Sequence, residues 1–118
     1  ARVYVETGEY RRAIDVLNQV VPKADRSTAA EGQFLLGEAY RGTGNCEQAV
    51  VQYLKTRYLY GSEKNWVVQS VYNAAQCNEE IDKLDDARRL YQTIINNYPS
   101  QEEFVEKAQN RLQALMGQ

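Results

Sequence analysis

Ala49-Val50-Val51-Gln52-Tyr53, closed seven residues later by Tyr60-Gly61-Ser62, is the stretch that decides the fold. It returns 38 residues on as Ala87, Tyr91 and Tyr98-Pro99-Ser100, with every offset kept. Ala13, Leu17 and Val20 hold equivalent places about 36 residues upstream, and Gly8-Glu9-Tyr10 precedes Ala13 as Gly44-Asn45-Cys46 precedes Ala49. A period between about 20 and 50 residues marks a stacked repeat, in which each unit leaves an apolar flank for its neighbour to cover.

Within each unit the spacing is helical. Ala13, Ile14, Leu17, Val20 and Val21 share one stripe, as do Leu84, Ala87, Leu90, Tyr91, Ile94 and Tyr98, and the alternation of a strand persists nowhere. Asn45 with Gln48, and Ser100 with Glu103, have the form of capped helix starts. Pro99 stops the helix before it, and Gly61 does the same one unit earlier. The pattern predicts an all-α chain of about seven helices, over 1–7, 9–22, 27–42, 45–60, 63–82, 84–98 and 101–116. The first, seven residues long, needs packing on the second to stay helical. A start in mid-pattern, at Ala1 rather than Met, reads as a piece of a longer protein.

Composition narrows the chemistry. The chain has 118 residues, a formal net charge of −2 and no histidine. Without histidine the usual neutral-pH base and the usual metal ligand are gone, and no nucleophile–base pair or phosphate loop is visible. The expectation is no enzyme, no cofactor and no metal. Glu79, Glu80, Asp82, Asp85 and Asp86 lack the alternate ligands and central glycine of a calcium loop, and read as a solvated helix end. No Lys/Arg block suggests nucleic acid, and no apolar run is long enough to span a membrane. Cys46 and Cys77 permit one disulfide or none.

Leu36-Gly37, Tyr40, Gly44, Ala49, Tyr53 and Gly61 resemble the pattern of the tetratricopeptide repeat (TPR), a helix-turn-helix unit. Ala1, Tyr4, Gly8, Tyr10 and Ala13 repeat it upstream; Ala75, Leu84, Ala87, Tyr91 and Pro99 repeat it downstream, where Asn78 and Asp82 depart from it. The resemblance implies a right-handed TPR-type α-solenoid of antiparallel helix pairs. It divides a single 1–118 domain into a truncated repeat (1–26), repeats at 27–61 and 62–99, and a capping helix (100–118). The stripe Phe104, Ala108, Leu112 and Leu115 would form that cap, and Val3 would leave apolar surface at the other end. Asn97-Tyr98-Pro99-Ser100, with Glu103, Ala108 and Arg111-Leu112, is similar to bacterial envelope TPR proteins of the Tol–Pal and β-barrel assembly type, implying a periplasmic or cell-envelope location.

The same resemblance implies a non-catalytic scaffold that binds a protein or peptide in its concave groove, lined by the first helix of each repeat. That rule selects Phe34, Glu38, Arg41, Gln69, Tyr72, Gln76 and Glu79, with Arg2 extending the row. Phe34 and Tyr72 would be aromatic anchors not needed for core packing. The alternative is self-assembly into a homo-oligomer. A carboxylate clamp of the co-chaperone kind is not expected: among Glu31, Phe34, Leu35, Gln69, Tyr72 and Asn73, only Asn73 is of the right type. Consecutive helices of a TPR stack would also bring Cys46 and Cys77 within disulfide range, or bury both as thiols.

Overall fold

A computed structural model describes residues 9–116. Six α-helices follow one another: α1 (Tyr10–Val20), α2 (Arg26–Gly42), α3 (Cys46–Leu59), α4 (Lys64–Glu80), α5 (Leu84–Asn97) and α6 (Glu102–Leu115). The predicted helix over 1–7, with Val3 and Arg2, lies outside the described residues. A single 3₁₀ turn, Val21–Lys23, follows α1, because Pro22 has no N–H with which to continue the α-helical ladder. Asp25 caps α2 by accepting from the Thr28 N–H at 2.9 Å, and Asn45 caps α3 by accepting from Gln48 N–H at 3.0 Å.

The turns inside the two full helix pairs are copies of each other. Asn45 N–H donates to Tyr40 C=O at 3.0 Å, and Lys83 N–H donates to Asn78 C=O at 2.7 Å. Gly44 has φ +83°, and Asp82, its counterpart 38 residues on, has φ 63°. This bond pattern closes a helix with one left-handed residue, which glycine supplies freely and Asp tolerates better than most side chains. The departure at Asp82 therefore leaves the turn intact. Between pairs, Glu63 N–H donates to Tyr60 C=O and Gln101 N–H donates to Tyr98 C=O, again in register. Arg26 lies 5.9 Å from the Tyr60 ring centre and Lys64 lies 5.5 Å from that of Tyr98, so a cation–π contact repeats as well.

One predicted cap is corrected. Ser100 does not cap α6: the cap position is Gln101, with no side-chain bond. The tight turn from Tyr98 to Gln101 uses Pro99 and Ser100 as its two central residues, leaving the serine one place short of the cap.

Short turns make successive helices antiparallel neighbours. The first helices of successive units also touch, α2 with α4 and α4 with α6, whereas α3 and α5 bring no Cα atoms within 8 Å of each other. The stack is thus tight along α2, α4 and α6 and splayed along α1, α3 and α5. Small residues allow the close approaches: Ala13, Ala49 and Ala87 are fully buried, as expected of helix–helix contact positions. At Gly37, an added Cβ would stand 2.3 Å from Cδ1 of Tyr53, so the glycine is the seat of that ring. Tyr53 and Tyr91, 38 residues apart, are both completely buried.

Candidate functional site

The tight side of the stack carries the row selected from the sequence, and the structure occupies nearly all of it internally. Phe34 is corrected outright. It is only 9% exposed and packs against Tyr53 and Trp66, with ring centres 5.9 and 5.6 Å away. α2 and α4 lie so close on this side that Trp66 closes over the ring. Phe34 is a core residue, not a free anchor.

Glu38 accepts from the Tyr53 hydroxyl and, at 2.9 Å, from Asn73 Nδ2 on the next unit. Arg41 forms an ion pair with Glu80. Gln69 donates to the carbonyl of Asn65 on its own helix at 2.9 Å, and Gln76 donates to the Tyr72 hydroxyl at 3.3 Å. Glu79 accepts from Arg111 Nη2 at 2.5 Å and Nε at 3.1 Å, and from the Tyr91 hydroxyl at 2.5 Å. Tyr72 stays half-buried, edge-on to Tyr91 and Phe104 with both centres 5.7 Å away, and Lys107 Nζ lies 5.8 Å from its ring centre. Of the two aromatic anchors, only Tyr72 stays partly exposed.

The paired tyrosines show the electrostatic character of this face. Burial pushes the Tyr53 phenol upward, and the neighbouring Glu38 charge and hydrogen bond push it further. Burial does the same to Tyr91, helped by its bond to Glu79. Both hydroxyls are therefore fixed donors, not acid–base groups for neutral chemistry.

Glu79 offers a test. Hydrogen bonds from Arg111 hold its carboxyl below the ordinary value, against burial, and the Tyr91 hydroxyl adds to the lowering. A carboxylate with a lower pKa folded than unfolded stabilises the fold above its unfolded value. That contribution vanishes as pH falls through the folded value. Stability is expected to decline as pH drops below about 4, and Glu79→Gln should flatten that decline in urea titrations at stepped pH. Equal slopes in the two proteins would refute the assignment.

The splayed side is different. A cleft of about 670 Å³ lies between α3 and α5. Val50, Leu54, Ile81 and Leu90 are partly buried against the core and also line this cleft. A second hollow of about 440 Å³ shares Leu54 and Leu90 and extends to Arg57 and Tyr58. Val51 is 47% exposed and Tyr58 is 87% exposed. The rim is charged but balanced, with Glu47 and Lys83 at the edge and Asp86 paired to Arg89 at 3.5 Å. This surface is absent from the sequence-derived row. Its signal is a second stripe on α3, Val51, Leu54 and Tyr58 at i, i+3 and i+7, on a face other than the one that buries Ala49 and Tyr53.

An all-α array of antiparallel helix hairpins, stacked along its first helices, is the class that this geometry defines. In comparison with known proteins, residues 69–100 match the model of the tetratricopeptide repeat family, a repeat that points to protein–protein interaction. No curated protein and no solved structure matches the chain. Among the described residues, no helix is long and apolar enough to cross a membrane.

Proposed function

We propose that this chain is a non-catalytic protein-interaction module that holds an apolar segment of a protein partner in the cleft between α3 and α5. The observation that carries this reading is the apolar strip along that cleft and the adjoining hollow, where Val51 and Tyr58 are exposed and Leu54 between them is partly buried. Water-exposed apolar surface gathered in a concavity gains free energy when covered. The balanced charges at the rim favour orientation of the partner over strong attraction. Val51→Glu combined with Tyr58→Ala is expected to weaken partner binding about tenfold or more while leaving the melting temperature nearly unchanged, since both side chains are exposed. Photo-crosslinking from position 51, compared with position 72, measures the site directly. Partner capture that survives the double substitution would sink the cleft reading.

A second reading keeps the partner on the tight side, with Tyr72 as anchor beside Gln69, Gln76 and Lys107. It is favoured by the partial exposure of Tyr72, and crosslinks from position 72 alone would select it. Self-assembly through the same cleft is the third outcome, visible as a concentration-dependent mass in light scattering. A periplasmic or cell-envelope location, supported by the Asn97-Tyr98-Pro99-Ser100 ending, belongs to this proposal; recovery of the protein in the cytoplasmic fraction would remove it.

A further inference from the structure

Cys46 is the first residue of α3, and Cys77 lies in the last turn of α4. The two thiols meet where the second helix of one pair begins and the first helix of the next pair ends. Both are buried, Cys46 at 8% exposure and Cys77 at 0%. Their Sγ atoms are 2.7 Å apart, closer than unbonded sulfurs normally pack.

Two kinds of chemistry join a pair of thiols. A disulfide needs sulfurs about 2.05 Å apart, so this pair has only a fraction of an ångström to close. A tetrahedral zinc holds each sulfur at about 2.3 Å, which places its two thiolates farther apart than these sulfurs stand. Among the described residues, Glu80 is the remaining group near enough to ligate with them, but Arg41 holds its carboxylate in an ion pair. The guanidinium also sets a positive charge close to Cys77, which disfavours a cation there.

We propose that Cys46 and Cys77 are a redox-closable site, oxidised to an intramolecular disulfide by exchange with a small-molecule disulfide of the glutathione class. Cys46, the less deeply buried residue of the two, gives up its thiol proton and its sulfur attacks one sulfur of the oxidant. The oxidant's S–S bond breaks, one thiolate leaves and is protonated, and a mixed disulfide remains on Cys46. The Cys77 sulfur then gives up its proton, attacks the Cys46 sulfur and expels the second thiolate, which is protonated in turn. Two protein thiols lose two protons and two electrons, and one disulfide becomes two thiols. Burial pushes the Cys77 thiol up, and its hydrogen bond with Cys46 adds to this, so Cys77 suits the resolving step inside the protein better than first attack on an external disulfide.

The bond joins residues 31 positions apart, tying one unit of the stack to the next. It does not depend on which surface binds a partner.

The test uses the whole chain in glutathione buffers stepped from reducing to oxidising. The thiol count should fall from two to none without any dimer, and proteolysis should yield one peptide pair linked through Cys46 and Cys77. Tm should rise by about 10 °C, fall back with dithiothreitol, and not respond to the buffer in Cys46→Ser. Because Cys77 is fully buried, Cys77→Ala serves as the second variant and should be equally unresponsive. Two thiols still free in the most oxidising buffer would overturn the proposal. So would a stable glutathione adduct on Cys46, or one zinc ion bound by the reduced chain with both thiols protected.

Discussion

A chain ending at Ser100 is expected to lose its cooperative unfolding transition and to associate through newly exposed apolar surface. α6 buries Ala108 and Leu115 completely and packs Phe104, Val105 and Leu112 against the cluster built by Val67, Val68, Val71, Ala87, Tyr91 and Ile94. Full burial of Leu115 stabilises the fold by roughly 1.5–3 kcal/mol, and the partly buried Phe104, Val105 and Leu112 add smaller shares. Together these are a sizeable part of the roughly 5–15 kcal/mol that holds a typical domain together. The truncation also removes Arg111, leaving Glu79 as a carboxylate on a largely covered face with only the Tyr91 hydroxyl. A repeat array fails from an uncovered end, because each unit depends on its neighbour. Circular-dichroism melts and light scattering measure both effects. A truncated chain that melts as sharply, and at the same temperature, as the whole one would show that α6 is not the cap.

Local chemistry is what the sequence transmits well. The helices over 10–20, 26–42, 46–59, 64–80, 84–97 and 102–115 follow from apolar spacing and from punctuation by Asn45, Gly44, Gly61 and Pro99. Each of these acts within a few residues of itself. Ser100 is the exception, and the cause is still local: a tight turn and a cap competed for one serine, and Pro99 settled the turn. Burial of Ala49 and Ala87 follows from the shared period, since the same small residue at the same place in two units implies the same contact.

The orientation of whole helices is set otherwise. Phe34 reads as a groove residue if the first helices stand apart, and it becomes core once Trp66 of the next unit closes over it at 5.6 Å. That distance depends on the sum of many side chains along α2 and α4, not on a motif. The same sum opens the other side of the stack and leaves Val51 and Tyr58 uncovered. A helix such as α3, apolar on two faces, states that two surfaces need covering without saying which one the chain covers itself. Glu38 and Glu79 illustrate a related limit. Each reads as a groove charge, yet the hydroxyls of buried tyrosines on the second helices donate to them.

Those tyrosines lead to the second large effect. Tyr53→Ala is expected to cost about 3–5 kcal/mol, as for other large-to-small changes in closed cores. The ring is fully buried, rests on Gly37 and packs on Phe34. Its hydroxyl donates to Glu38, which also holds Asn73 of the next unit. One side chain therefore fills the space between α2 and α3 and orients a bond from α2 to α4. The void left by alanine is walled by helices that close turns on either side prevent from collapsing. Tyr53→Phe separates the two contributions: it keeps the ring and removes one hydrogen bond, with an expected cost of about 0.5–1.5 kcal/mol, because half-buried Glu38 retains Asn73. Urea unfolding of both variants, read at constant slope, gives the comparison. If alanine costs no more than phenylalanine, the ring is not what joins these helices, and the role assigned to the glycine beneath it fails with it.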